Sequence, residues 1–114
     1  MTKEVFETLL EEIRVESIDT LTTKNGKYAP AGDKLHNFNA GAEIMGGTAA
    51  QAAWGYLAKH LVALRDKIDR NDFTDRDDFM EKCKDAINYI CLIWCIGNEE
   101  NTRRATDAAW QREG

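Results

Sequence analysis

A single proline, three cysteines and no surplus of positive charge set the first limits on this 114-residue chain. One proline leaves most of the length free to run as uninterrupted helix. The three cysteines, Cys83, Cys91 and Cys95, fall in one stretch. An odd number on one element makes no disulfide framework, so they read as small buried hydrophobes in a reducing cytoplasm. A metal site built on Cys91 and Cys95 needs further thiols or imidazoles, and the only histidines are His36 and His60. Fifteen basic against twenty acidic side chains leave a formal net charge of −5. Such a balance offers no broad cationic surface to displace counterions from a duplex, which excludes nucleic acid as the main partner. No stretch holds eighteen consecutive apolar residues, and the opening MTKEVFETLLEEI is acidic and amphipathic. Neither a membrane span nor an export signal is read from it.

The composition that remains, 43% hydrophobic and 31% charged, is that of a globular domain. A chain of this length is expected to fold as one unit and to bury about two-thirds of the surface its unfolded form exposes. Val5, Phe6, Leu9, Leu10 and Ile13 recur at helical spacing opposite Glu4, Glu7 and Glu11, which predicts an amphipathic helix from residue 3 to about 22. The run KNGKYAPAGDK, with Asn25-Gly26 and Pro30, stops it. A short helix over about Leu35 to Met45 follows, ending at Gly46-Gly47. Thr48 with Gln51 forms a capping-box pattern before a third helix, whose apolar seam is Trp54, Leu57, Leu61, Leu64 and Ile68. Thr74 or Asp75 can cap a fourth helix that runs to Gly97 with Phe79, Cys83, Ala86, Ile90 and Trp94 on one face. No strand-like alternation is found. The expected architecture is an all-α bundle of four to five helices over residues 1–97, with a polar tail or short helix over 98–114.

Two features carry chemistry. The run AINYICLIWCIG from Ala86 is apolar nearly all round, so more than one surface must cover it; a homo-oligomer or a pocket floor would do so. Just before it, Asp78, Glu81 and Asp85 share one helix face, with Asn88 a turn further on. A stripe of this kind supplies the oxygen ligands Mg²⁺ prefers, beside substrate phosphates. Equally, acidic residues near a helix start are favoured by its dipole and stay solvated. Lys59 can offset phosphate charge or face water, and His60 reads as a packed, hydrogen-bonded imidazole. The loop residues Lys24 and Tyr28, followed by Asn37 and Phe38, can hold a base and phosphate, or form a turn pinned by its rings. Phosphate-loop, dinucleotide, zinc-protease and hydrolase-elbow motifs are all missing from the sequence. Covalent nucleophilic catalysis therefore has no support, and a metal-activated water is the nucleophile to expect.

Five short pieces stand in order along the chain: Lys24-Asn25-x-x-Tyr28-Ala29, Asn37-Phe38, Ala42-Glu43 before Gly46, Lys59 with Leu64, and Asp85-Ala86-x-Asn88-Tyr89. In these the chain resembles, over residues of about 3 to 96, small MazG-like all-α nucleotide-associated proteins common in phage genomes, including the nucleotide-modification-associated domain type. The resemblance implies an oligomeric helical bundle in the host cytoplasm that binds a nucleoside triphosphate with Mg²⁺. It further implies, in active relatives, hydrolysis to monophosphate and pyrophosphate. On this reading Asp85 and Glu81 are catalytic and, with Asp78, hold the metal, while Lys59, Asn88, Tyr28, Asn37 and Lys24 meet the nucleotide. The chain departs from that pattern at Lys27, where an aspartate is usual, at Ala63 in place of an arginine, and at Lys82 in place of a glutamate. These departures fit the alternative: a non-catalytic phage protein that sequesters a nucleotide or binds and inhibits a host protein.

Overall fold

The computed structural model describes residues 1–24 and 35–113, and among these every element is helical. Helix α1 spans Lys3–Arg14 and continues through a π-helical segment, Val15–Asp19, into α2, Thr20–Lys24. Helices α3, α4 and α5 span His36–Met45, Ala49–Asp69 and Arg76–Glu113. The turn-rich run that separates α2 from α3, with Lys27 and Tyr28, lies outside the described residues.

Local chemistry sets the helix boundaries. Thr2 opens α1 by accepting from the Val5 amide at 3.2 Å. The expected capping box forms at α4: the Gln51 amide donates to Thr48 Oγ1 at 3.1 Å, and the Thr48 amide donates to Gln51 Oε1 at 2.9 Å. Gly46 closes α3 at φ 74°, a left-handed conformation that glycine adopts without strain. Of the two candidate caps for α5, Asp75 acts, its Oδ1 accepting from the Asp78 amide at 3.1 Å. The connection before it is pinned by the rings of Phe73 and Phe79, edge-to-face at 4.9 Å.

Three expectations are corrected. The last helix does not stop at Gly97 but runs on to Glu113. Gly97 has no proline after it, and the following NEENTRRATDAA supplies helix formers together with Glu100 ion pairs to Arg103 and Arg104. At 38 residues α5 is roughly 57 Å long, which accounts for the 60 Å long axis of the molecule. On α4 the buried line is Ala53, Leu57 and Lys67, whereas Trp54, Leu61 and Ile68 of the expected seam are exposed. On α5, Ala86 is buried, but Ile90 and Trp94 point outward, Trp94 at 72% exposure. The cysteines follow the same gradient: Cys83 and Cys91 are half-buried and Cys95 is exposed.

The core is correspondingly small. Leu35, Ala53 and Ile96 form its centre, with Phe38, Ala49, Ala50, Leu92 and Ile93 packed around them. The accessible surface is 8584 Å², against about 6,300 Å² for a compact chain of this mass. Little more than half of the unfolded surface is buried, short of the two-thirds expected. The radius of gyration, 17.7 Å, likewise exceeds the roughly 13 Å of a compact domain of this size.

Candidate functional site

The packing of α4 on α5 places the polar residues that matter. Positions 53, 57, 60, 64 and 67 of α4 fall on one line, and two of them, His60 and Lys67, are polar. Each meets acidic groups. The Lys67 ammonium, 5% exposed, pairs with Asp78 of α5 and stands 3.4 Å from Asp72 Oδ2. Asp78 also holds Lys82 at 3.5 Å. Hydrogen bonding from Lys67 keeps the Asp78 carboxyl below the usual carboxylate range, and the same bond raises the Lys67 ammonium above its ordinary value.

Two turns back along α4, His60 Nδ1 stands 3.6 Å from Asp85 Oδ2. That is too long for a hydrogen bond, but it becomes an attractive contact once the imidazole is protonated. The His60 ring stacks on Tyr89 at 5.0 Å between centroids, and Tyr56, one turn earlier on α4, stacks on Tyr89 at 5.9 Å. Phe38 of α3 meets Tyr56 and Tyr89 edge-on, at 6.3 Å in each case. Four rings from three helices thus make one cluster. Tyr56 remains 55% exposed, so the cluster keeps an open aromatic face. Burial pushes the Tyr89 hydroxyl above its ordinary value, with the neighbouring Tyr56 and Asp85 adding to the shift, so it stays protonated at neutral pH.

Asn88 follows Asp85 by three residues on α5. Its carboxamide oxygen is buried and, among the described residues, accepts from no donor. A buried acceptor without a partner costs about 1–3 kcal/mol. Folds of this size carry few such groups, and each calls for an explanation. The π segment packs against α5, and its Ser17 is fully buried with its hydroxyl donating to the Ile13 carbonyl. Segments of this kind recur at functional sites.

The predicted residues are therefore distributed as follows. Asp78, Glu81 and Asp85 lie on one side of α5 but address different neighbours. Asp78 is engaged by Lys67 and Lys82, Asp85 faces His60, and Glu81 lines a groove against α1 with Glu4, Glu7, Glu11 and Glu12. Among the described residues no three His, Cys, Asp or Glu side chains converge as a metal site. As arranged, the stripe does not fit octahedral Mg²⁺, because the Asp78 oxygens are already paired. Asp85 meets the ring cluster at His60, and Asn88 follows it one turn further along α5. Lys59 is exposed on α4, and Asn37 is exposed in the first turn of α3. Tyr28 and the Lys24 side chain lie outside the described residues.

Tyr56 and Lys67 were not singled out from the sequence. A signal existed for both: the spacing 53, 57, 60, 64, 67 is as regular as the apolar seam beside it, and Tyr56 precedes His60 by four residues. The described residues are thus all-helical in their regular structure, with a polar and aromatic cluster where α3, α4 and α5 meet, and among them no helix is long and apolar enough to cross a membrane. No family model, curated protein or solved structure matches it.

Proposed function

We propose that this chain is a nucleotide-binding protein of the MazG-like kind, taking the nucleobase at the cluster of Phe38, Tyr56, Tyr89 and His60. The observation that carries the reading is the buried Asn88 carboxamide oxygen, which has no donor among the described residues, one turn along α5 from the His60–Asp85 contact. An exocyclic amine or ring N–H of a base supplies the missing donor, and the open face of Tyr56 supplies a stacking surface. Lys59, exposed on the same helix as Tyr56 and His60, is a cation available to a phosphate, joined by Lys24, Tyr28 and Asn37 where the resemblance puts them.

Binding without turnover is the form of this reading that the carboxylates favour. Mg²⁺-dependent release of pyrophosphate calls on Asp85, Glu81 and Asp78 together, and the ion pairs of Asp78 with Lys67 and Lys82 hold it away from that role. Sequestration of a nucleotide needs only the rings, Asn88 and a cation. The other non-catalytic alternative, binding and inhibition of a host protein, rests on no particular contact.

Isothermal titration of deoxy- and ribonucleoside mono- and triphosphates, with and without Mg²⁺, is the test, alongside pyrophosphate assays on the wild type and on Asp85→Ala. The expected result is saturable binding that Asp85→Ala weakens, with no pyrophosphate formed by either protein. Pyrophosphate release by the wild type that Asp85→Ala abolishes would restore the catalytic form. Absence of binding across the whole panel would overturn the reading.

A further inference from the structure

Packing does not account for two of the thiols on α5. Cysteine is among the residue types most often buried, yet Cys95 is exposed and Cys91 only half-buried, and both are free. Where packing does not hold a cysteine, its reactivity decides its use. The two stand four residues apart within the 38-residue helix and therefore share one face. At that spacing Cβ atoms lie about 5–6 Å apart. A disulfide needs them at about 3.5–4.5 Å, so the helix holds the pair open. A gap too wide for a sulfur–sulfur bond suits two sulfurs on either side of a single ion, each roughly 2.3 Å from it.

We propose that Cys91 and Cys95 form a two-sulfur site for a soft monovalent ion, Cu(I). Among the common metals, thiolates select Cu(I), zinc and iron–sulfur clusters. Zinc and the clusters call for four ligands, and among the described residues no third His, Cys, Asp or Glu joins this pair. Cys83 cannot supply one. It stands eight residues before Cys91, about 12 Å away along the helix axis, and burial pushes its thiol up, away from the thiolate form that binds metal. Cu(I) is complete with two thiolates in line, an arrangement that spans the gap as the helix sets it. The exchange balances without a redox partner: Cu⁺ displaces the two thiol protons and leaves a bis-thiolate complex of charge −1, with copper monovalent throughout. None of the four rings, nor Asn88, takes part, so the site stands whether or not a nucleotide binds.

Anaerobic titration of the full, reduced chain with Cu(I), in competition with a colorimetric Cu(I) chelator, tests the proposal. One ion per chain is expected, and X-ray absorption is expected to count two sulfur neighbours with no second copper nearby. The second thiol binds intramolecularly, a contribution of roughly 10²–10⁴, so Cys95→Ser is expected to weaken retention about 100-fold or more. Cys83→Ser is expected to bind as the wild type does. Cys95 is exposed, so its replacement leaves the fold intact, which helical circular dichroism checks; the sulfur count on the unaltered chain decides independently of any variant. A wild type that yields all its copper to the chelator, a Cys95→Ser protein that retains copper as tightly, or a spectrum showing three sulfurs or a copper neighbour would each overturn the assignment.

Discussion

Replacing Asn88 with leucine separates a ligand-seeking carboxamide from a structural one. The two side chains have nearly the same shape, so the change leaves packing on α5 almost unaltered while removing a buried acceptor that has no donor among the described residues. Deleting such an orphan recovers part of its desolvation cost of about 1–3 kcal/mol, and losing the amide NH₂ subtracts from that gain. A net stabilisation of about 1 kcal/mol without nucleotide is expected, which raises Tm by roughly 4 °C for a domain of this size. With nucleotide present the order inverts. At a ligand concentration one hundred times Kd the wild type gains about 2.7 kcal/mol, roughly 10 °C, and the variant, lacking the acceptor, gains far less. Scanning calorimetry of both proteins, with and without the tightest nucleotide of the titration panel, gives all four values. An Asn88→Leu protein that melts lower than wild type without ligand shows that the oxygen was satisfied. Equal nucleotide shifts in the two proteins show that it does not face the base.

Two further outcomes test the scaffold. The Lys67–Asp78 pair fixes the pH range of stability. Because the Asp78 carboxyl is depressed, its contribution is present above about pH 4 and is lost as pH falls through the lowered value; because the Lys67 ammonium is raised, its share is present below about pH 10.5 and is lost as pH climbs past it. Urea midpoints of Lys67→Met measured against pH are expected to fall less steeply than wild type on the acid side; parallel curves would remove the pair from the stability of the fold. Thr48→Ala deletes the side-chain acceptor of the α4 capping box and is expected to cost about 1 kcal/mol, with Thr48→Ser close to wild type in thermal melts. An unchanged Thr48→Ala melt would mean that tertiary contacts alone hold the start of α4.

What could be read from the sequence, and what could not, divides along physical lines. Caps were legible because they depend on residues three apart: Thr48 with Gln51, Asp75 ahead of Asp78, and Gly46 at a positive φ are all local. The choice of buried face was not, because hydrophobicity ranks Trp54, Leu61 and Ile68 above a line that contains His60 and Lys67. The polar line is the one inside, since α5 brings Asp85 to His60 and Asp78 to Lys67, with Asp72 of the α4–α5 connection beside it, and a buried charge is tolerated when it is paired. The same pairing dissolves the carboxylate stripe. Spacing correctly put Asp78, Glu81 and Asp85 on one side of a helix, but that side spans the gap between α4 and α1, so neighbours on two different elements divide the three among themselves. Lys67 is the residue that turns this from a detail into a functional statement. With lysine at position 67, a positive charge already occupies the space beside Asp78. The aromatic cluster escapes this competition because rings from α3, α4 and α5 stack without exhausting one another, and Tyr56 keeps a face open. On the proposed reading, the residues that meet the ligand are therefore those whose chemistry survives packing, Tyr56 and Asn88, and not the charges that the sequence displays most plainly.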